Sequence, residues 1–66
     1  MDTGRKDANI QIGKRLREAR LNMNLEKSEI ADVLDVTVEH YRKLEAGITG
    51  ISVDKVLTLY HKYGID

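Results

Sequence analysis

Residues 27–47 read KSEIADVLDVTVEHYRKLEAG, and the spacing of apolar, small and turn-forming residues in this stretch decides the fold. Ile30 and Leu34 stand four apart, on one face of a helix, with the small Ala31 beside them. Asp35 breaks that period, and its short polar side chain tolerates the left-handed angles of a tight turn. Val36 follows as an inward-packing residue, and Thr37 has the side-chain oxygen that a helix N-cap needs. Tyr41 and Leu44, three apart, form the inner face of the next segment, and Gly47 fits a left-handed stop. The reading is two short helices, Lys27–Leu34 and Thr37–Leu44, joined by a tight turn. A small residue at 31 lets the second helix approach closely and cross the first steeply. Its polar side, with Val38, Glu39, His40, Arg42 and Lys43, is thereby pushed outward. A helix of this width fits the DNA major groove, where its first turn can touch base edges.

Working outward, Ile12, Leu16, Ala19 and Met23 fall at i, i+4, i+7 and i+11. That is one helical stripe, and it predicts a helix over about residues 9–22. Asn22 and Asn24 suit its end and the turn beyond. After the loop Ile48-Thr49-Gly50-Ile51, Ser52 offers a second N-cap. Val53, Val56, Leu57, Tyr60 and Tyr63 then recur at helical spacing as an inward stripe, and Gly64 ends the segment. Residues 1–8 are polar and read as a mobile tail, with residues 9–66 as one domain. No segment shows sustained strand alternation. The expected fold class is all-α, with four short helices containing a helix-turn-helix.

Sixty-six residues allow one domain at most. The chain has no cysteine, which excludes a disulfide framework and a thiolate metal site. His40 and His61 are too far apart in sequence for a local metal motif, so no metal is expected. No apolar run approaches a membrane span, and the charged N-terminus lacks a signal-like apolar region, so a cytoplasmic location is expected. There is no phosphate-binding glycine loop, no serine elbow and no paired carboxylates set for a cleft. The chain therefore reads as a non-enzyme without cofactor. Its 11 Lys and Arg balance 11 Asp and Glu. Residues 1–27 hold seven basic and four acidic groups, a surplus of three, which leaves the remainder at −3. Zero net charge predicts modest non-specific affinity for DNA, because phosphates respond to local charge.

At this point the chain resembles the Cro/repressor-type helix-turn-helix family, also called Xre-like or lambda-repressor-like. The matching residues are Ile12-Gly13-Lys14-Arg15-Leu16-Arg17-Glu18-Ala19-Arg20, Leu25-Glu26-Lys27-Ser28-Glu29-Ile30-Ala31, Val36-Thr37, Tyr41-Arg42-Lys43-Leu44-Glu45-Ala46-Gly47 and Tyr63-Gly64-Ile65. The resemblance implies a regulator that binds double-stranded DNA through a recognition helix at about residues 37–45. It implies that Thr37 both caps that helix and touches a phosphate. Val38, Glu39 and Lys43 take the base-facing positions, with His40 and Arg42 beside them. Lys27 stands where the family often has Gln, placed to contact a phosphate and brace the recognition helix. Glu45 is implied to form a structural ion pair with Arg20. A fifth helix often follows the Tyr63-Gly64-Ile65-Asp66 stretch in this family, so four helices and a truncated five-helix form both stay open. The implied assembly is a homodimer on a palindromic operator, with recognition helices about 34 Å apart.

This sequence departs from the family pattern in three places. Asp35 replaces the usual turn glycine. Val38 and Glu39 replace more comfortable polar or basic residues; Val suits a thymine methyl and Glu can accept from cytosine N4. The loop after Gly47 is uncharged where the family is usually basic. These departures keep a second function open: the same fold as a protein-interaction module, such as an antirepressor or antitoxin-like adaptor. The charges that gather around the second short helix discriminate between the two.

Overall fold

The computed structural model describes residues 3–65, with side chains from Asp7 onward. Among the described residues there are four α-helices and no strand: α1 Thr3–Asn22, α2 Lys27–Val33, α3 Val38–Ala46 and α4 Val53–Tyr63. The closest helix approaches are α1 on α3 and α2 on α3, so α3 is the element against which the others are set.

Each short helix is bounded by chemistry local to its ends. The α2–α3 turn closes when Asp35 takes φ 58° and the Val36 N–H donates to the Ala31 carbonyl at 3.0 Å. One residue in the left-handed region suffices to stop α2. Thr37 Oγ1 then accepts from the His40 N–H at 3.0 Å, satisfying a donor that the first turn of α3 leaves without a partner. Gly47 ends α3 at φ 76° and Gly64 ends α4 at φ 73°, positions where a Cβ would be strained. Ser52 caps α4, its Oγ accepting from the Lys55 N–H at 3.4 Å.

The core is small. Ile30, Ala31 and Leu34 of the α2 segment, Tyr41 and Leu44 of α3, Leu16 of α1 and Leu59 of α4 are buried, with Val36, Ile51, Tyr63 and Ile65 packed at its edge. Of the six inward residues read between positions 30 and 44, five are in it and Val36 packs at its edge.

The flanking helices differ from their sequence reading. Helix α1 starts at Thr3 rather than near residue 9, so the stretch read as a polar tail is helical backbone from that point; Met1, Asp2 and the side chains before Asp7 lie outside the described residues. No proline interrupts residues 3–8, and extending an existing helix costs little once its later turns are packed. The inner line of α1 is Gly13, Leu16 and Arg20, whereas Ile12 is exposed and Ala19 and Met23 are half-buried. Gly13 sets this rotation. The position of its missing Cβ lies 2.7 Å from the Leu44 carbonyl oxygen and also against that of Glu45, so the backbone of α3 occupies the space a side chain would need.

Helix α4 is turned even more. Leu59 is buried and Tyr63 half-buried, while Val53, Leu57 and Tyr60 are 73%, 49% and 53% exposed. The helix carries apolar residues on two sides and the core accepts only one. The side with Leu59 is the one it accepts, and Lys55, half-buried, donates from Nζ to the Leu34 carbonyl at the end of α2 at 3.3 Å.

Replacing Gly13 with Ala should destabilise the domain by about 1–3 kcal/mol through overpacking against the α3 backbone. Urea unfolding followed by circular dichroism checks this; an unchanged midpoint would show that α1 and α3 can separate freely.

Candidate nucleic-acid interface

The direction in which α3 faces depends on a polar cluster beneath it. Arg20 of α1 donates from Nε to Glu45 Oε2 at 2.6 Å and from Nη2 to Oε1 at 3.4 Å. Its Nη1 donates to the Leu25 carbonyl at 3.1 Å. The Tyr41 hydroxyl donates to the same Glu45 Oε2 at 2.6 Å. Both charged side chains are withdrawn from water, Arg20 keeping 10% of its exposure and Glu45 7%. Among the described residues no buried side-chain nitrogen or oxygen lacks a partner, so the cluster is fully satisfied.

Burial pushes the Glu45 carboxyl upward. The hydrogen bonds from Arg20 and Tyr41, with the attraction of Arg20, outweigh that push and hold it below its ordinary value. The Glu45 hydrogen bond raises Arg20 further. Burial, then Glu45, raises the Tyr41 phenol, which stays a donor across the accessible pH range. The cluster ties the middle of α1, the loop at Leu25 and the last turn of α3 into one unit.

With Tyr41, Leu44 and Glu45 directed inward, the opposite side of α3 is free. Val38, Glu39, His40, Arg42 and Lys43 are all exposed, as is Ala46. At 100° per residue, Glu39, Arg42, Lys43 and Ala46 share the outermost face, with Val38 and His40 on its two flanks. Thr37 and Lys27 are exposed at the starts of α3 and α2. All seven residues singled out as DNA contacts are therefore on the surface, and the pair Arg20 and Glu45 is beneath it.

Two features of this face were not read from the sequence. Glu39 and Arg42 form a bidentate pair, Arg42 Nη2 to Glu39 Oε2 at 2.7 Å and Nε to Oε1 at 3.1 Å. Their i, i+3 spacing was the available signal. The Arg42 hydrogen bond, then its charge, holds the Glu39 carboxyl below its usual range, and Glu39 raises Arg42 in return. Ala46 is the second feature: a small residue that leaves the last turn of α3 low enough to approach a flat partner. Among the described residues the ion pairs are Arg20–Glu45 and Glu39–Arg42. Lys27 and Lys43 therefore carry their charge on this side without an ion-pair partner among those residues. Arg15 instead lines the groove between α1 and α4.

Comparison with known proteins gives the same domain. The helix-turn-helix family model matches residues 16–66. The chain is 36% identical over 61 residues to an uncharacterized HTH-type transcriptional regulator of Rickettsia conorii, an alignment covering 85% of this chain and 49% of that protein. The chain thus spans about half the length of that curated relative. No solved structure matches it.

Truncating Arg20 to Ala should cost about 3 kcal/mol, because it leaves the Glu45 carboxylate buried without its counter-charge. Lowered in the fold, the Glu45 carboxyl contributes stability that is complete above the ordinary Glu range, near pH ~4.3. That contribution is lost as pH falls through the depressed folded-state value. The acid limb of a stability profile should therefore be flatter for Arg20→Ala than for the parent chain. Parallel limbs would remove Glu45 from the acid response.

Proposed function

The chain belongs to the helix-turn-helix family, and from that premise we propose that it is a transcriptional regulator that binds double-stranded DNA by laying α3 in the major groove. The observation that supports this most is the division of α3 itself. Tyr41, Leu44 and Glu45 are committed to the interior, and the whole opposite side, from Val38 to Ala46, is left to solvent. A two-helix elbow braced from beneath by Arg20 presents that side rigidly, and rigid presentation lowers the ordering cost of binding.

Within this reading each residue has a role. Thr37 and Lys27 meet phosphates at the two helix starts. Lys43 donates to guanine or phosphate, and Val38 offers an apolar contact to a thymine methyl. Arg42 reaches bases or phosphate with the donors that Glu39 leaves unused, and Glu39 accepts from cytosine N4. His40 flanks the phosphate side. The functional unit is a homodimer on a palindromic operator, each copy reading one half-site. A regulator of this kind works in the cytoplasm without a cofactor or catalytic step.

One observation favours the second reading, a protein-interaction module. Glu39 cancels the charge of Arg42 on the outermost face, and Glu29 and Asp32 line a shallow notch with Thr37 and Val38 at the elbow. A face so balanced recruits phosphates weakly and suits a polar protein partner.

Selection from random duplex DNA, followed by anisotropy titration at several salt concentrations, tests the proposal. An enriched sequence is expected, with affinity falling as salt rises. Lys43→Ala should weaken binding and reduce the salt slope by about one. Glu39→Gln should tighten binding to unrelated duplexes by uncovering Arg42. Absence of both enrichment and salt dependence would leave the interaction-module reading in possession.

A further inference from the structure

The outer face of α3 holds one arrangement whose geometry the proposed function leaves unused: the edge by which Glu39 meets Arg42. Glu39 takes the side edge of the guanidinium, Oε1 accepting from Nε at 3.1 Å and Oε2 from Nη2 at 2.7 Å. A guanidinium carries its N–H donors in a rigid planar fork. The side contact therefore leaves the end of the fork free, with parallel donors on Nη1 and Nη2 directed away from the carboxylate. The interior contains the same edge contact with its free end in use. Arg20 gives Nε and Nη2 to Glu45, and its Nη1 reaches the Leu25 carbonyl at 3.1 Å. There a carboxylate on the side edge accompanies a neutral acceptor at the end. Glu39 and Arg42 repeat the edge contact on the exposed face, where the end of the fork meets solvent.

Charge decides which acceptor suits that free end. Arg42 holds the Glu39 carboxyl ionised, so the pair carries no net charge and its carboxylate repels phosphate. The attraction that draws a bare guanidinium to the DNA backbone is largely cancelled, whereas hydrogen bonds to an uncharged edge remain. Of the base edges in the major groove, guanine alone presents a pair of adjacent acceptors, O6 and N7. Adenine sets a donor beside its N7, thymine offers a lone O4 and cytosine a donor. Parallel donors thus match guanine. In water an exposed pair of this kind is weak. Between α3 and a groove wall the lower dielectric strengthens it, so the clamp tightens as the face is covered.

We propose that Arg42 reads a guanine through Nη1 and Nη2, and that Glu39 is its positioning residue, holding the guanidinium by the side edge and turning it from phosphate to base. This rests on the reading of α3 as a groove-bound helix and names a base that it selects. Each Glu39 oxygen keeps a further acceptor site, so the contact with cytosine N4 stays available beside this role.

Anisotropy titration of the selected duplex, and of copies altered at single positions, tests the proposal with the parent chain, Arg42→Ala and Glu39→Gln. One guanine of the half-site is expected to be preferred about tenfold over the other bases. Placing 7-deazaguanine there, which lacks the N7 acceptor, should remove most of that preference. Inosine, which keeps O6 and N7, should retain it. Arg42→Ala should abolish the preference at that position and leave the other positions as they are. Glu39→Gln should move two quantities in opposite directions: affinity for unrelated duplexes rises, and the guanine preference falls severalfold. A merely structural role for Glu39 would shift all duplexes alike. The proposal is overturned by an Arg42→Ala chain with the parent's preferences, by indifference to 7-deazaguanine, or by a Glu39→Gln chain with the guanine preference intact. Both substituted positions are exposed, and the base analogues use the parent chain, so a folding defect cannot decide the result. Binding to an enriched duplex without an Arg42-dependent guanine would overturn this inference and leave the proposed function standing. Failure to enrich any duplex would overturn both.

Discussion

Everything in this domain turns on how α3 is gripped. It is too short to be stable alone, since isolated helices below about 12–15 residues are marginal in water. Its backbone rests on α1 at Gly13, its apolar side on α2, and its last turn on Arg20 through Glu45. The contact at Gly13 permits the close approach, and the ion pair sets the rotation. A buried pair of this sort contributes little net stability against an apolar replacement, because desolvation offsets most of its attraction. Its physical effect is directional. Glu45 accepts from two side chains at once, and both its partners arrive from fixed positions, so α3 has one orientation in which the cluster is satisfied.

That orientation explains the electrostatic character of the exposed face. Of the cations near it, Arg20 is spent on the interior and Arg42 is matched by Glu39. Lys27 and Lys43 remain. The chain as a whole carries no net charge, so long-range attraction to a polyanion is weak, and under the proposed function binding would rest on contacts at close range. In that proposal the carboxylate in the middle of the face would impose selectivity by cost, tolerated where a donor such as cytosine N4 meets it and repelled where only phosphate does.

The two-helix elbow was legible in the sequence because every signal there is local. Asp35 and Thr37 act within a few bonds of themselves, and Ile30, Ala31, Leu34, Tyr41 and Leu44 can satisfy their period on only one side. The caps at Ser52, Gly47 and Gly64 were legible for the same reason. The exposed positions on α3 followed from the buried ones. The Glu39–Arg42 pair sits on the same surface, and its i, i+3 spacing does not by itself tell whether the two side chains engage each other or a partner outside the chain.

The flanking helices were not legible, for a physical reason seen most clearly in α4. Val53, Leu57 and Tyr60 make as good a stripe as Leu59 and Tyr63, and periodicity cannot rank two stripes on one helix. Gly13 likewise has no hydrophobicity, so a pattern of apolar residues passes over the position on which α1 turns. By itself, then, the sequence determined the helix-turn-helix, its caps and the outward residues of α3, because those depend on short-range geometry. Only the tertiary structure decided which side of α1 and of α4 meets the core. That choice goes with backbone approach at Gly13 and with the burial of Leu59 against the other helices, and it exists only once the helices are assembled.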